Sequence, residues 1–268
     1  MPLRLVKDVG NCKHDLRITG LAVYSVAKLR LGYIDAGYRQ LAEATSRAKD
    51  LNHPLTLAFV LQNRSTFAAL IRNYREVQRS GEALGAFCAQ QGIRQWRYLG
   101  DLLHLWASMQ LAGEGEPACL VRAFEQHQGG GYRLNKPFHL MLVADAWSIS
   151  GDLLRADRTL DEVLSLAEET GEAWLTPELF RRKALYALRQ GFPDRAEGWF
   201  DASLRVAREQ HARLFELCAA RDFARFWAAR DERQKASDLL APVYGWFTEG
   251  FGTPDLQEAK TLLDELRE

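Results

Sequence analysis

The stretch LMLVADAWSISGDLLRADRTLDEVLSLAEETG, residues 140–171, holds two apolar stripes separated by a glycine. Leu140, Val143, Ala144 and Trp147 stand at i, i+3, i+4 and i+7, which gathers them on one helix face. Gly151 ends that helix, because a residue without a Cβ enters the left-handed region at a C-terminus at no steric cost. Ala156, Leu160, Val163 and Leu164 then repeat the helical spacing, and Gly171 stops the second run. The unit reads as an antiparallel helix pair. Ala156, five residues past the turn, is the small residue that lets the two helices pack closely there.

The same unit recurs along the chain. Sharp turns fall at Gly32, Asn73, Gly113, Gly151, Gly191 and Asp231, with gaps of 41, 40, 38, 40 and 40 residues. Ala196 and Ala236 follow their turns at the same distance as Ala156. In the fifth unit Pro177 lies in the first turn of the first helix, and Ala196, Phe200 and Leu204 follow Gly191. In the sixth, Phe223, Ala224 and Trp227 precede the turn, and Ala236, Leu240 and Val243 come after it. Breaks between units keep the period: Asn52, Gly92, Gly129 to Gly131, Gly171 and His211. A period near 40 with helical content marks a stacked array of helix pairs, an architecture that presents a surface. Alternating Val, Ile and Thr bounded by hairpin turns is absent, so strands are not expected.

Composition narrows the function classes. Apolar residues make up 47% of 268, and Lys plus Arg balance Asp plus Glu at 35 each. No global field draws in nucleic acid or an anionic membrane. The opening MPLRLVKDVG lacks a signal-peptide h-region, and no apolar run approaches the roughly 18 residues of a membrane span. Cys12, Cys88, Cys119 and Cys218 form no CxxC pair and read as reduced thiols. A cytoplasmic location is expected.

The two ends differ. Residues 1–13 form a lead-in without a full partner helix, as where a longer protein is cut. The repeat domain covers 14–252. A C-terminal capping helix covers 253–268, opened by Thr253-Pro254, whose hydroxyl and proline suit a helix start. Leu256, Ala259, Leu262, Leu263 and Leu266 line its apolar face; Asp255, Glu258, Lys260, Asp264 and Glu265 lie on the face expected to meet water. Without a matching N-terminal cap, the edge containing Leu21, Tyr24 and Leu29 is expected to stay open and to favour self-association.

With turns and alanines aligned, the chain resembles tetratricopeptide-type repeats of the longer, 40-residue kind. Leu140, Val143, Ala144 and Trp147 fit their large, large, small, aromatic pattern, and Lys183 departs from it. The segment DLLAPVYGWFTEGFGTPDLQEAKTLLDEL, residues 238–266, resembles the C-terminal end of bacterial signalling proteins that join a class III adenylate/guanylate cyclase domain, a P-loop ATPase module and a tetratricopeptide tail. Related tails occur in ATPase-type transcriptional regulators. HDLR (14–17), LGYIDAG (31–37) and GEAWLTPELFRRKAL (171–185) resemble the same tail. The resemblance implies an all-α, right-handed superhelix (an α-solenoid) of about six helix pairs plus the cap. It also implies a regulatory tail without its enzyme. The chain has no Gly-Lys dipeptide for a P-loop and no α/β segment for a cyclase.

Independent chemistry is also hard to find. No two of the six histidines form an HExxH or His-x3-His pattern, and no GxSxG elbow occurs. His104 and His139 read as half-buried structural residues. The expectation is no enzyme, no cofactor and no metal. Most of the seven tryptophans read as core, with Trp174 and Trp246 partly exposed. In the tetratricopeptide alignment the concave groove is lined by Phe138, Met141 and Asp145, by Glu178, Arg181 and Arg189, and by Arg221 and Arg225. Asn63, Phe67, Leu103 and Ala107 form its earlier, apolar or small end. Arg181, Arg221 and Arg225 converge either as a solvated face offset by Asp145 and Glu178, or as an anion grip of planar guanidiniums. The expected function is a non-catalytic protein-interaction or regulatory module, its partner a protein, a peptide or another domain of the same parent. The alternative is a sensor of an anionic metabolite or nucleotide; neither nucleic acid nor membrane is an expected partner.

Overall fold

The computed structural model describes residues 15–129 and 134–267, and the lead-in 1–13 lies outside them. Within these residues the chain forms thirteen α-helices and one 3-10 turn, Ala173–Leu175. The first four pair as α1 (Leu16–Arg30) with α2 (Ile34–Asp50) and α3 (Pro54–Leu70) with α4 (Tyr74–Gln90). Next come α5 (Arg94–Ala112) with α6 (Pro117–Gln128) and α7 (Lys136–Ile149) with α8 (Leu153–Thr170). Two further pairs are α9 (Thr176–Arg189) with α10 (Pro193–Glu209) and α11 (Arg213–Ala228) with α12 (Arg233–Gly245). The last helix, α13 (Pro254–Arg267), packs on α11 and α12. Each helix packs on its neighbours in the chain, as an α-helical repeat does.

The turns explain the regularity. Left-handed residues recur close to every twenty positions, in loops within pairs and between them: Gly32, Asn52, Arg72 and Gly92 in the first half, Gly171, Gly191, His211 and Asp231 in the second. After six of these eight, the chain donates back into the helix it has left, as Tyr33 N does to Lys28 O at 2.9 Å and Phe192 N to Ala187 O at 2.9 Å. The second turn differs from the sequence reading by one residue. Arg72, not Asn73, takes the left-handed conformation (φ +59°), while Asn73 Oδ1 accepts from Glu76 N at 3.2 Å and caps α4. A non-glycine residue held there gives up about 1–2 kcal/mol.

Small residues decide where helices approach. Ala156, Ala196 and Ala236 are fully buried, at the register read from the turns. A backbone-to-backbone approach lies elsewhere, between α4 and α5. A Cβ added to Gly100 would lie 2.4 Å from the Gly85 nitrogen and 2.6 Å from the Gly81 carbonyl oxygen. Lys183, the departure from the repeat pattern, is buried on α9. Its Nζ donates to Asp157 at 2.7 Å and Asp161 at 2.8 Å and stands 5.3 Å from the centre of the Trp199 ring. A long stem carries the charge through the packing to carboxylates on α8.

The two ends of the array touch. Leu29, Ile34 and Ile71 share one buried cluster with Leu214, Phe247 and Leu256. Ala36 N donates to Glu249 Oε1 at 3.1 Å, and Gly250 N to Asp35 Oδ2 at 3.2 Å. Trp246 lies so close over Gly32 that an added Cβ would sit 2.4 Å from its ring. The expected open edge is thus closed over Leu29, which is fully buried, and remains open at Tyr24 and Val23, each about half exposed, and at Leu16. The capping helix also needs a correction. Its apolar face packs as expected, but Asp255 on the other face is only 1% exposed. The Thr253 hydroxyl does not cap α13; it donates to Gly250 O at 2.8 Å.

Candidate functional site

The odd-numbered helices from α3 to α13, with Arg72 from the α3–α4 turn and Tyr74 at the start of α4, line a half-open cavity of about 370 Å³. One wall is aromatic and aliphatic, with Tyr74, Trp106, Phe138, Leu142 and Phe215. The rest of the lining is a chain of alternating charges drawn from α7, α9, α11, α13 and the turn between α3 and α4.

The chain starts at Asp145 on α7, which accepts from Trp106 Nε1 at 3.2 Å. Arg182 on α9 grips the same carboxylate with Nε at 2.7 Å and Nη2 at 3.1 Å, and its Nη1 reaches Glu178. Glu178 is held from its other side by Arg181, with Nε at 2.7 Å and Nη2 at 2.6 Å. Arg181 continues to Asp222 on α11, and Asp222 accepts from Arg221 Nε at 2.9 Å. Arg221 pairs with Asp255 on α13, whose Oδ1 also accepts from Arg72 Nη1 at 3.2 Å. Arg72 closes the chain onto Glu258 at 2.8 Å. Bidentate guanidinium–carboxylate pairs are the strong form of this interaction, and burial makes each partner depend on the other.

The cavity lining carries five guanidiniums (Arg72, Arg181, Arg182, Arg221, Arg225) and five carboxylates (Asp145, Glu178, Asp222, Asp255, Glu258). Burial alone would raise the Glu178 carboxyl, but the Arg181 and Arg182 charges outweigh it and hold the group down to about 2. Asp222 is lowered for the same reason, burial being overcome by Arg181 and Arg221. Burial would lower Arg181, Arg182 and Arg221, yet their carboxylate partners raise all three. Cys218, on the same lining, is raised by burial first and by Asp255 second, so its thiol stays protonated. Such a set recognises charge and geometry; groups held this far from neutrality in pKa exchange protons poorly at pH 7. Among the described residues no group of three His, Cys, Asp or Glu side chains is placed to hold a metal ion.

Of the residues assigned to the groove from sequence, Phe138, Met141, Asp145, Glu178, Arg181, Arg221 and Arg225 line the cavity. Arg189 does not: it is exposed and donates to Ser148 Oγ at 2.5 Å and Ser148 O at 3.0 Å. Asn63, Phe67, Leu103 and Ala107 are also outside the lining, buried between helices. Phe67 meets Tyr38 edge to face at 4.9 Å, and Asn63 Nδ2 donates to Phe59 O at 2.9 Å. Their place is taken by Ala69, Leu70, Tyr74, Trp106 and Gln110. The anion grip is not available as expected either. Arg181 and Arg221 are consumed by internal pairs, and Arg225, half exposed, is held only at 3.4 Å by Glu258 and 3.6 Å by Asp222.

Arg72, Arg182, Asp222, Asp255 and Glu258 escaped the sequence reading. The i,i+3 and i,i+4 spacing of Glu178 with Arg181 and Arg182 was a usable signal. Asp255 and Glu258 gave none, because they look like the wet face of an amphipathic helix.

No protein-family model matches this chain, and no curated protein matches it in sequence. Among the described residues no helix is long and apolar enough to cross a membrane.

Proposed function

We propose that this chain is a non-catalytic, tetratricopeptide-like regulatory module whose right-handed superhelix recognises a ligand in its half-open, charge-lined cavity. The observation that carries the reading is that the alternating ion-pair chain and a set of aromatic side chains line the same cavity of about 370 Å³. Small-ligand sites are commonly of about 300–1,000 Å³, mostly apolar with a few placed polar groups. Contact between the ends of the array supports a compact ligand, a short peptide end or small polar molecule, over a long extended peptide. The resemblance of residues 238–266 to cyclase- and ATPase-linked tails supports a role in a bacterial cytosolic signalling protein. Leu16, Val23 and Tyr24, exposed on α1, are then a surface for the attached domains.

The test is a thermal-shift screen of peptide and metabolite pools against the parent and Ile149→Trp, which narrows the cavity. Hits that stabilise the parent and vanish in the variant support the reading. Hits indifferent to the variant, or no hit in any pool, would overturn it.

A further inference from the structure

We infer that the cavity takes a zwitterion: an apolar α-amino acid or dipeptide that keeps both its ammonium and its carboxylate. The inference rests on the cavity being the recognition site and names the ligand class. Five guanidiniums face five carboxylates in the lining. A bare anion or cation entering so buried a set would leave one charge without a partner, and an unpaired buried charge is costly. A ligand that brings one charge of each sign preserves the balance.

Two members of the chain are left incomplete, with opposite needs. Asp255 Oδ1 accepts from both Arg72 and Arg221, while Asp255 Oδ2 is buried with no hydrogen-bond partner. That oxygen calls for a donor. Arg225, one helix away on α11, is half exposed and meets its carboxylates only at 3.4 Å and 3.6 Å. Its planar fork calls for an acceptor. Glu258 bridges them, touching Arg225 as well as the Arg72 and Arg221 that hold Asp255. The ligand's ammonium therefore pairs with Asp255, its carboxylate with Arg225, and its side chain lies against Trp106 and Phe138. A cavity of about 370 Å³ admits one amino acid or a dipeptide.

The test is calorimetric titration of the full chain with phenylalanine and the dipeptide Phe-Leu, beside N-acetylphenylalanine, which keeps only the carboxylate, and phenylalaninamide, which keeps only the ammonium. The zwitterions should bind, and each blocked form at least about tenfold more weakly, the scale of one lost charge-assisted bond. Arg225→Gln, at a half-exposed position, should fold with a Tm within about 2 °C of the parent and bind the zwitterions about tenfold more weakly. Blocked forms that bind as tightly as phenylalanine, binding unaffected by Arg225→Gln, or no binding by either zwitterion would each overturn the inference. A singly charged pool hit abolished by Ile149→Trp would overturn it while leaving the cavity as a recognition site; hits indifferent to Ile149→Trp would remove that site itself.

Discussion

Where α4 meets α5 the chain brings two backbones together by leaving out side chains; where α9, α11 and α13 meet, it holds the helices together with long charged ones. Gly81, Gly85 and Gly100 make the first contact, and a single added carbon at Gly100 would collide with backbone atoms. Arg181, Asp222, Arg221 and Asp255 make the second, with exposures of 12, 6, 4 and 1% along the side chains. The first interface is specified chiefly by shape, with Gln78 Nε2 donating to Ser108 Oγ at 2.9 Å beside it, and has no room to adjust at Gly100. The second is specified by pairing, and its rim, at Arg72, Arg225 and Glu258, stays one-third to one-half exposed. The rigid contact is therefore in the wall of the array and the adjustable one around the cavity, where the proposed ligand would need it.

The largest effect should come from the rigid side. Gly100→Leu should remove more than about 4 kcal/mol, the range reached only when a core contact is destroyed. Urea unfolding measures it, and a loss under about 1 kcal/mol would show that α4 and α5 separate without cost. Gly198→Ala on α10 is the matched control. Nothing lies within 4 Å of its added Cβ, so it should gain about 0.5–1 kcal/mol from helix propensity alone.

On the charged side, Arg221→Met should cost about 3–5 kcal/mol, because Asp222 and Asp255 lose a guanidinium while buried. A cost near zero would mean that Arg72 and Arg181 suffice to neutralise both carboxylates, and that the continuous chain is not a unit.

How much of this was legible varies with the range of the contact. The turns could be read because their chemistry is local: Gly151 and Gly191 take left-handed conformations that the sequence marks by itself. Ala156, Ala196 and Ala236 followed from those turns. The closure of the array could not be read, since Gly32 and Trp246 meet across more than 200 residues with no local signature. Nor could the burial of Asp255. On the same helix Lys260 and Asp264 form an i,i+4 pair in water, about half exposed, with a pattern of charges no different from that of Asp255 and Glu258. Which face is wet depends on what lies opposite, and Arg72 and Arg221 come from other repeats. Phe138, Met141, Asp145, Glu178, Arg181, Arg221 and Arg225 were read onto one lining because the turns fixed their register. Arg189 and the α3 and α5 positions were not, because the local approach of α4 and α5 and the closure of the ends set which residues face inward.

Acid should separate the two regions. Glu178, held down to about 2 against an ordinary 4.5, binds fewer protons folded than unfolded below pH about 4.5. Its contribution is therefore complete above about 4.5 and is lost as the pH falls from there towards 2; Asp222 shifts in the same direction. Amide exchange should show α9, α11 and α13 loosening in that window while α4 and α5, which share no ion pair among the described residues, keep their protection. Glu178→Gln should flatten the pH dependence of stability between about 4.5 and 2. A slope unchanged by Glu178→Gln would show that other carboxylates govern acid unfolding.

The smallest effect is expected where a buried charge is dispensable. Lys183 is 1% exposed, so its neighbours decide what its loss costs. Asp161 is 61% exposed and rehydrates readily, and Asp157 retains Arg195 at 3.2 Å. Lys183→Met keeps the unbranched stem against Trp199 and strands neither carboxylate, so stability should change by less than about 1 kcal/mol. The contrast with Arg221→Met then isolates the cause, for both residues are buried cations on first helices held by carboxylates, Lys183 by two and Arg221 by three. One faces partners that water can serve; the other faces partners that only the protein can. Equal losses in the two variants would mean that burial of the cation alone sets the cost, and that the cavity gives its ion pairs no special standing.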